Sequence, residues 1–259
     1  MKKLCISMNP IKGLFTFLVY LVVKVLSRSH VYSYLMKKES ISNLELLYVI
    51  PFKYIFFCRF GEAFTVESAL LRKYYDCLPL SKGSVLIDIG AHIGTVCIRF
   101  AKMKQCSVIA IEPERTNMRY LRANIALNKV QYNIKAIRVA VGERNGNAHL
   151  YLHGFTGHSI YIPSDKYEII KVVTLDTLYQ IWKDLFMHDV FIKINAEGAE
   201  LDILKGSLQC LKNIRGLCVA VHHSEDEPFL ISAFLKKMGF SIKLLTIKGN
   251  ELLIATKIN

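Results

Sequence analysis

The seven cysteines (5, 58, 77, 97, 106, 210 and 218) contain no Cys-x-x-Cys pair, which argues against a structural metal. Cys97, Cys106 and Cys218 lie inside apolar runs, where cysteine serves as a small buried hydrophobe, and a reducing compartment is expected. Repeats and low-complexity linkers are absent, so the 259 residues read as one ordinary domain with an extension. No apolar run reaches the roughly 20 residues that span a bilayer. The best candidate, Gly13–Val23, is closed by Lys12 and Lys24, and Ser27-Arg28-Ser29-His30 is a poor signal cleavage site. Acidic residues are scarce, 21 against 34 Lys and Arg, for a net charge of +13. Residues 1–60 carry +7 of that excess beside the apolar run, where it suits an anionic membrane surface. There is no stripe of basic and aromatic residues and no Asn/Asp-Pro-Pro-Tyr/Phe signature for a flipped base, so nucleic acid is not the expected partner. A cytoplasmic protein is expected. Residues 11–26 are read as a helix packed on the domain, a peripheral membrane contact or a span.

What is present begins at residues 84–104. Val85–Ile89 is a β-branched apolar run of the kind buried on both faces of a sheet, and Thr95 onward has helical spacing. Gly90 and Gly94 between them allow a sharp turn and a close approach to a ligand at a helix N-terminus, here a carboxylate. A dinucleotide loop needs Gly-x-Gly-x-x-Gly, but His92 stands at the middle glycine; a P-loop needs a lysine that Gly94-Thr95-Val96 lacks. Ser107–Ile111 is a second apolar strand ending on Glu112, placed to accept both hydroxyls of a ribose. A ribose acid without a pyrophosphate loop fits S-adenosylmethionine better than NAD.

The rest of the chain alternates. Tyr48–Phe60 reads as strand or hairpin, and Glu67–Asp76 as a helix that could lie over the cofactor. Helices are expected over Thr116–Asn128, Leu175–Phe186, Ala199–Cys210 and Pro228–Met238. Strands are expected over Ile134–Val141, Ala148–His153, Lys171–Thr174, Val190–Asn195, Leu217–Val221, Ser241–Ile247 and Glu251–Lys257. That pattern predicts an α/β fold, a doubly wound and mostly parallel sheet with an antiparallel C-terminal edge hairpin. Residues 1–60 form the N-terminal extension with its apolar helix, and 61–259 the catalytic domain.

A second polar cluster, Lys193, Asn195, Glu197 and Glu200, crowds the end of the strand at 190–195, where open α/β sheets place their ligands. In order along the chain stand Val-Leu-Ile-Asp-Ile-Gly-Ala-His-Ile-Gly, Ile-Glu-Pro-Glu, Val-Ala-Val-Gly, Val-Thr-Leu-Asp and Lys-Ile-Asn-Ala-Glu-Gly-Ala-Glu. Over residues 84–222 this combination resembles the FkbM family of methyltransferases. The resemblance implies a Rossmann-like, class I S-adenosylmethionine-dependent fold and O-methylation of sugars and other natural-product hydroxyls, with a small molecule or glycan as acceptor. By position it implies that Asp88, Gly90, Ala91, His92 and Gly94 line the methionine end of the cofactor. Glu112 would hold the ribose, and Val139, Ala140 and Val141 would face the adenine. Two positions depart from the pattern: Asn195 stands where the family usually has Asp, and Ala220 where it often has Glu. Asn195 can hydrogen-bond the cofactor's amino group but cannot serve as a base.

Methyl transfer to a hydroxyl needs an oriented nucleophile and a proton acceptor. Glu197 and His222 are the candidate bases, with Asn195 beside them. Lys193 is expected to pair with Glu197 or Glu200, and His158 is a candidate substrate contact. The alternative class is a cofactor-binding protein without catalysis, retained for membrane or partner association.

Overall fold

The computed structural model describes residues 4–6, 44–50, 54–59, 62, 65, 66, 75–154, 157–221, 223–247 and 250–258. The expected apolar helix at 11–26 lies outside these residues, as does most of the helix expected over Glu67–Asp76, of which Tyr75 and Asp76 sit in a turn. Among the described residues no helix is long and apolar enough to cross a membrane.

β1 (Leu4–Ile6), β2 (Leu44–Ile50) and β3 (Tyr54–Arg59) make an antiparallel three-stranded sheet, so a hairpin does occupy the region around Tyr48–Phe60. Tyr54, Phe56 and Cys58 alternate into the core, as a half-buried strand requires. The main sheet starts with β4 (Val85–Ile89), α1 (Thr95–Lys104), β5 (Ser107–Ile111), α2 (Arg115–Leu127) and β6 (Ile134–Ile137). β7 (Ala140–Val141), β8 (Gly146–Tyr151) and β9 (Tyr167–Val173) form a second small sheet, and α3 (Leu175–Ile181) follows. The chain then re-enters the main sheet through β10 (Val190–Ile194), α4 (Glu200–Lys205), β11 (Gly216–Ala220), α5 (Glu227–Lys237), β12 (Phe240–Ile247) and β13 (Asn250–Lys257).

The strand order is β12-β13-β11-β10-β4-β5-β6. Every residue of β4, β10 and β11 is buried, because apolar layers cover both faces. From β4 the chain first moves outward to β5 and β6, then returns to place β10 on the opposite side of β4. The order reverses between β4 and β10, and ligands bind at such a switch point.

Three elements differ from the sequence expectation. The strand expected over 134–141 breaks at Arg138, whose guanidinium bonds the Pro113 carbonyl at 3.2 Å and Glu168 Oε2 at 2.7 Å, so Ala140 and Val141 pair with β9 instead. The helix expected to reach Cys210 ends at Lys205. There Gly206 packs so tightly that a Cβ would lie 2.2 Å from the Gly142 carbonyl oxygen. The helix expected to reach Phe186 ends at Ile181, and Lys183–Met187 is a 3-10 turn. The antiparallel C-terminal hairpin stands at the sheet edge as expected; within it β13 lies between β11 and β12, because Leu252–Ala255 are buried while β12 exposes Ser241 and Lys243 as an edge.

α2 and its C-cap residue Asn128 turn polar side chains inward. Asn124 and Asn128 each exchange two hydrogen bonds with the backbone of β3, at Phe57 (2.6 and 3.0 Å) and Ile55 (3.1 and 2.6 Å). Their amides satisfy the strand edge as a neighbouring strand would. Asn124 also donates to the Ile93 carbonyl at 2.8 Å, so β3 is tied to the glycine turn.

Candidate active site

A cavity of about 460 Å³ opens at the carboxyl ends of β4, β5, β10 and β11. Gly90 has φ 73°, and a Cβ there would lie 1.8 Å from the Asn195 carbonyl oxygen, so the tips of β4 and β10 touch only because position 90 has no side chain. Gly94 has φ 92°, and a Cβ there would lie 2.6 Å from the Leu121 side-chain methyl. As the N-cap of α1 it supplies no side-chain acceptor, and Thr95 and Val96 in the first turn face the cavity.

Between the glycines His92 holds φ 53°, a left-handed conformation uncommon outside glycine. A polar network keeps it there. The His92 backbone N–H donates to Glu112 Oε2 at 2.8 Å, and Glu112 Oε1 accepts from the Glu114 N–H at 3.0 Å and the Asn117 amide at 3.3 Å. His92 Nε2 lies 2.9 Å from Glu62 Oε1, which also receives Arg59 Nη1 at 3.0 Å. Arg59 Nη2 continues to Asn117 Oδ1 at 2.7 Å, and Glu114 caps α2 by accepting from the Thr116 and Asn117 N–H groups at 2.6 Å. Burial pushes the Glu112 carboxyl up, against the opposing pull of His92 and its hydrogen bonds. Burial also pushes Glu62 up, but there the hydrogen bond and charge of His92, with Arg59, outweigh it and hold the carboxyl below its usual range.

On the other side of the switch point, strand register decides the pairing. Lys193 stands opposite Asp88 on β4, and its Nζ lies 2.9 Å from Asp88 Oδ1. Lys193 therefore pairs with Asp88 rather than with Glu197 or Glu200. Nζ also donates to the Gly90 carbonyl at 2.7 Å and lies 5.5 Å from the centre of the Tyr75 ring. Asn195 Oδ1 is buried and accepts no hydrogen bond among the described residues.

Glu197 lines the cavity at φ 53°. The turn that carries it is clamped from both sides: Glu200 accepts from the Ala196 N–H at 2.7 Å and the Gly198 N–H at 2.9 Å, while Ser159 Oγ donates to the Glu197 carbonyl at 3.0 Å. Burial pushes Glu200 up, but His223 and the Ala196 N–H outweigh it and leave its carboxyl lowered. His223 Nε2 is 3.6 Å from Glu200 Oε1, and that carboxylate raises the imidazole's pKa against burial. A lowered carboxyl stabilises the fold above its unfolded pKa and loses that contribution as pH falls through the folded value. A raised histidine contributes fully below an unfolded pKa of about 6.5 and loses its contribution as pH rises through the folded value. Scanning calorimetry should therefore show wild-type Tm falling by about 2–4 °C above neutrality, for a pair worth about 1 kcal/mol. His223→Gln should flatten that limb; equal slopes in both proteins would contradict the pair.

Of the residues singled out in the sequence, Gly90, Ala91, His92, Glu112, Ala140, Val141, Asn195 and Glu197 line this one cavity, as do Val139, His158 and Ala220. Asp88 and Gly94 are not in the lining: Asp88 is fully buried behind Lys193, and Gly94 sets the turn. His222 lies outside the described residues. His158 Nδ1 accepts the His153 N–H at 3.0 Å and burial lowers the ring's pKa, so the neutral ring carries its proton on Nε2 and is a donor rather than a base. Tyr75, from the segment expected to lie over the cofactor, is also in the lining; sequence reasoning missed Thr65, Asn117, Leu150, Ile160 and Leu252, which line it as well. Only Asn117 had a local signal, as a polar residue in the first turn after Glu112.

The chain is similar to several known proteins. Methyltransferase sdnD of Sordaria araneosa is 24% identical over 201 residues, covering 65% of this chain and 78% of that protein. Methyltransferase 1 of Beauveria bassiana is 23% identical over 165 residues, covering 55% of this chain and 66% of its own length. Among solved structures, precorrin-6y C5,15-methyltransferase of Geobacter metallireducens superposes with a TM-score of 0.46 at 15% identity, over 72% of this chain and 87% of that one. The family model for the methyltransferase FkbM domain matches residues 88–242, more than half of the chain and both halves of the cavity wall. The chain belongs to the FkbM-domain methyltransferases.

Proposed function

We propose that this protein binds S-adenosylmethionine in the cavity and methylates a hydroxyl oxygen of a sugar, glycan or other small natural product. The observation that carries the reading is one cavity lined by two carboxylates with separate surroundings, Glu112 at the tip of β5 and Glu197 beyond the tip of β10. The residues present fit the cofactor. Glu112 Oε2 takes one protein donor and retains acceptor capacity for ribose hydroxyls. The orphaned Asn195 Oδ1 suits the cofactor's ammonium, and the uncapped first turn of α1 suits its carboxylate. Val139, Ala140, Val141, Leu150 and Ile160 offer apolar faces to adenine.

When bound, the cofactor supplies an electrophilic methyl carbon on a sulfonium. The chain's part is to align the acceptor hydroxyl and take its proton. Glu197 is assigned that role, since its turn is clamped and its side chain faces the cavity; His222 is the second candidate. Asn195 binds without acting as a base. Asp88 fixes Lys193, which in turn holds the Gly90 carbonyl, and Gly94 holds the turn against α2. The basic apolar stretch at 11–26 would serve as a peripheral membrane contact.

Calorimetric titration with S-adenosylmethionine, repeated on Glu112→Ala, tests the reading. Micromolar binding by the wild type and a loss of about 100-fold or more in the variant are expected, because two hydrogen bonds to a charged acceptor are removed. Absence of binding by folded wild-type protein would overturn it. Binding without release of labelled methyl to any hydroxylated acceptor would favour the non-catalytic alternative, which Asn195 and Ala220 motivate.

A further inference from the structure

The site described above uses neither Cys77 nor Cys218, yet their sulfurs lie 3.6 Å apart although the residues are 141 positions apart in the chain. Cys218 is fully buried on β11, in register with Lys193, which is itself in register with Asp88. A row of Asp88, Lys193 and Cys218 thus crosses three strands just beneath the cavity. Cys77 belongs to the turn that packs over this row, and it is only partly buried, so a small oxidant can reach it. In the same turn Tyr75 lines the cavity and sets its ring over Lys193. A disulfide bond is about 2.05 Å long. The sulfurs need to close about 1.5 Å to form the bond.

We infer that Cys77 and Cys218 are an oxidation site, closing a reversible disulfide that clamps the Tyr75 turn onto β11 at the floor of the cavity. The contact with Cys218 lowers the Cys77 thiol's pKa, and the same contact and burial raise that of Cys218, so Cys77 ionises first and attacks. The co-reactant is a small-molecule disulfide such as oxidised glutathione. The Cys77 sulfur attacks one glutathione sulfur, breaking the glutathione S–S bond and releasing one glutathione thiolate. The Cys218 sulfur then attacks Cys77 in the mixed disulfide and expels the second glutathione. Two electrons pass to the reagent, and the two cysteine protons end on the two glutathiones.

The cross-link does not depend on the methyltransferase reading, and its test needs no cofactor. Full-length protein equilibrated in oxidised and reduced glutathione is digested without reduction and mapped by mass spectrometry. The expected product is a peptide pair joining Cys77 to Cys218, reversed by dithiothreitol. Amide exchange across residues 75–78 should slow about tenfold or more on oxidation, and Tm should rise by about 5 °C or more. Neither change should occur in Cys77→Ser. Recovery of both cysteines as free thiols in the oxidising buffer, or of a glutathione adduct confined to Cys77, would overturn the proposal; wild-type mapping decides this even if a variant fails to fold.

Discussion

Gly90→Ala is expected to cost about 4–5 kcal/mol, the exceptional end of single-residue effects and a large part of the roughly 5–15 kcal/mol that holds a typical domain. Left-handed backbone at φ 73° accounts for about 1–2 kcal/mol of that. The remainder is contact: the new Cβ would lie 1.8 Å from the Asn195 carbonyl oxygen and 2.9 Å from its carbonyl carbon, both backbone atoms of a chain segment leaving a buried strand. Neither β4 nor β10 has room to retreat, since every residue of both is buried. Gly83→Ala separates the two causes. Gly83 has φ 87° but no atom within 4 Å of the position a methyl would take, so only the backbone cost applies. Denaturant midpoints followed by circular dichroism measure both; equal losses would show that the contact between strand tips contributes nothing.

Glu197→Gln should lower kcat by about 10²–10⁴ while leaving the cofactor Kd within a few-fold of wild type. The substitution keeps the shape of a half-buried side chain, and the main contacts of the turn run through Glu200 and Ser159 to backbone atoms that it does not touch. What it removes is the ability to take a proton. Single-turnover transfer from labelled cofactor, with the Kd measured in parallel, separates chemistry from binding. A fall of less than about tenfold would mean that the proton leaves by another route and that Glu197 only aligns the acceptor.

Much of this protein was determined by sequence alone. The turn between β4 and α1, the acid after β5, the polar cluster after β10 and the FkbM motif order all show within stretches of about ten residues. The reason is that glycine φ, strand periodicity and strand-end acids are local properties. Tertiary structure alone decided the pairings. Lys193 faces Asp88 rather than its sequence neighbours Glu197 and Glu200 because register sets them on adjacent strands. β13 takes the inner position over β12 because burial on both faces rewards its apolar run. Glu62 reaches His92, Asn124 and Asn128 close the edge of β3, and Cys77 meets Cys218, all across intervals of roughly 30 to 140 residues. Such contacts depend on where separate strands and helices are stacked, and no short-range period in the chain records that stacking.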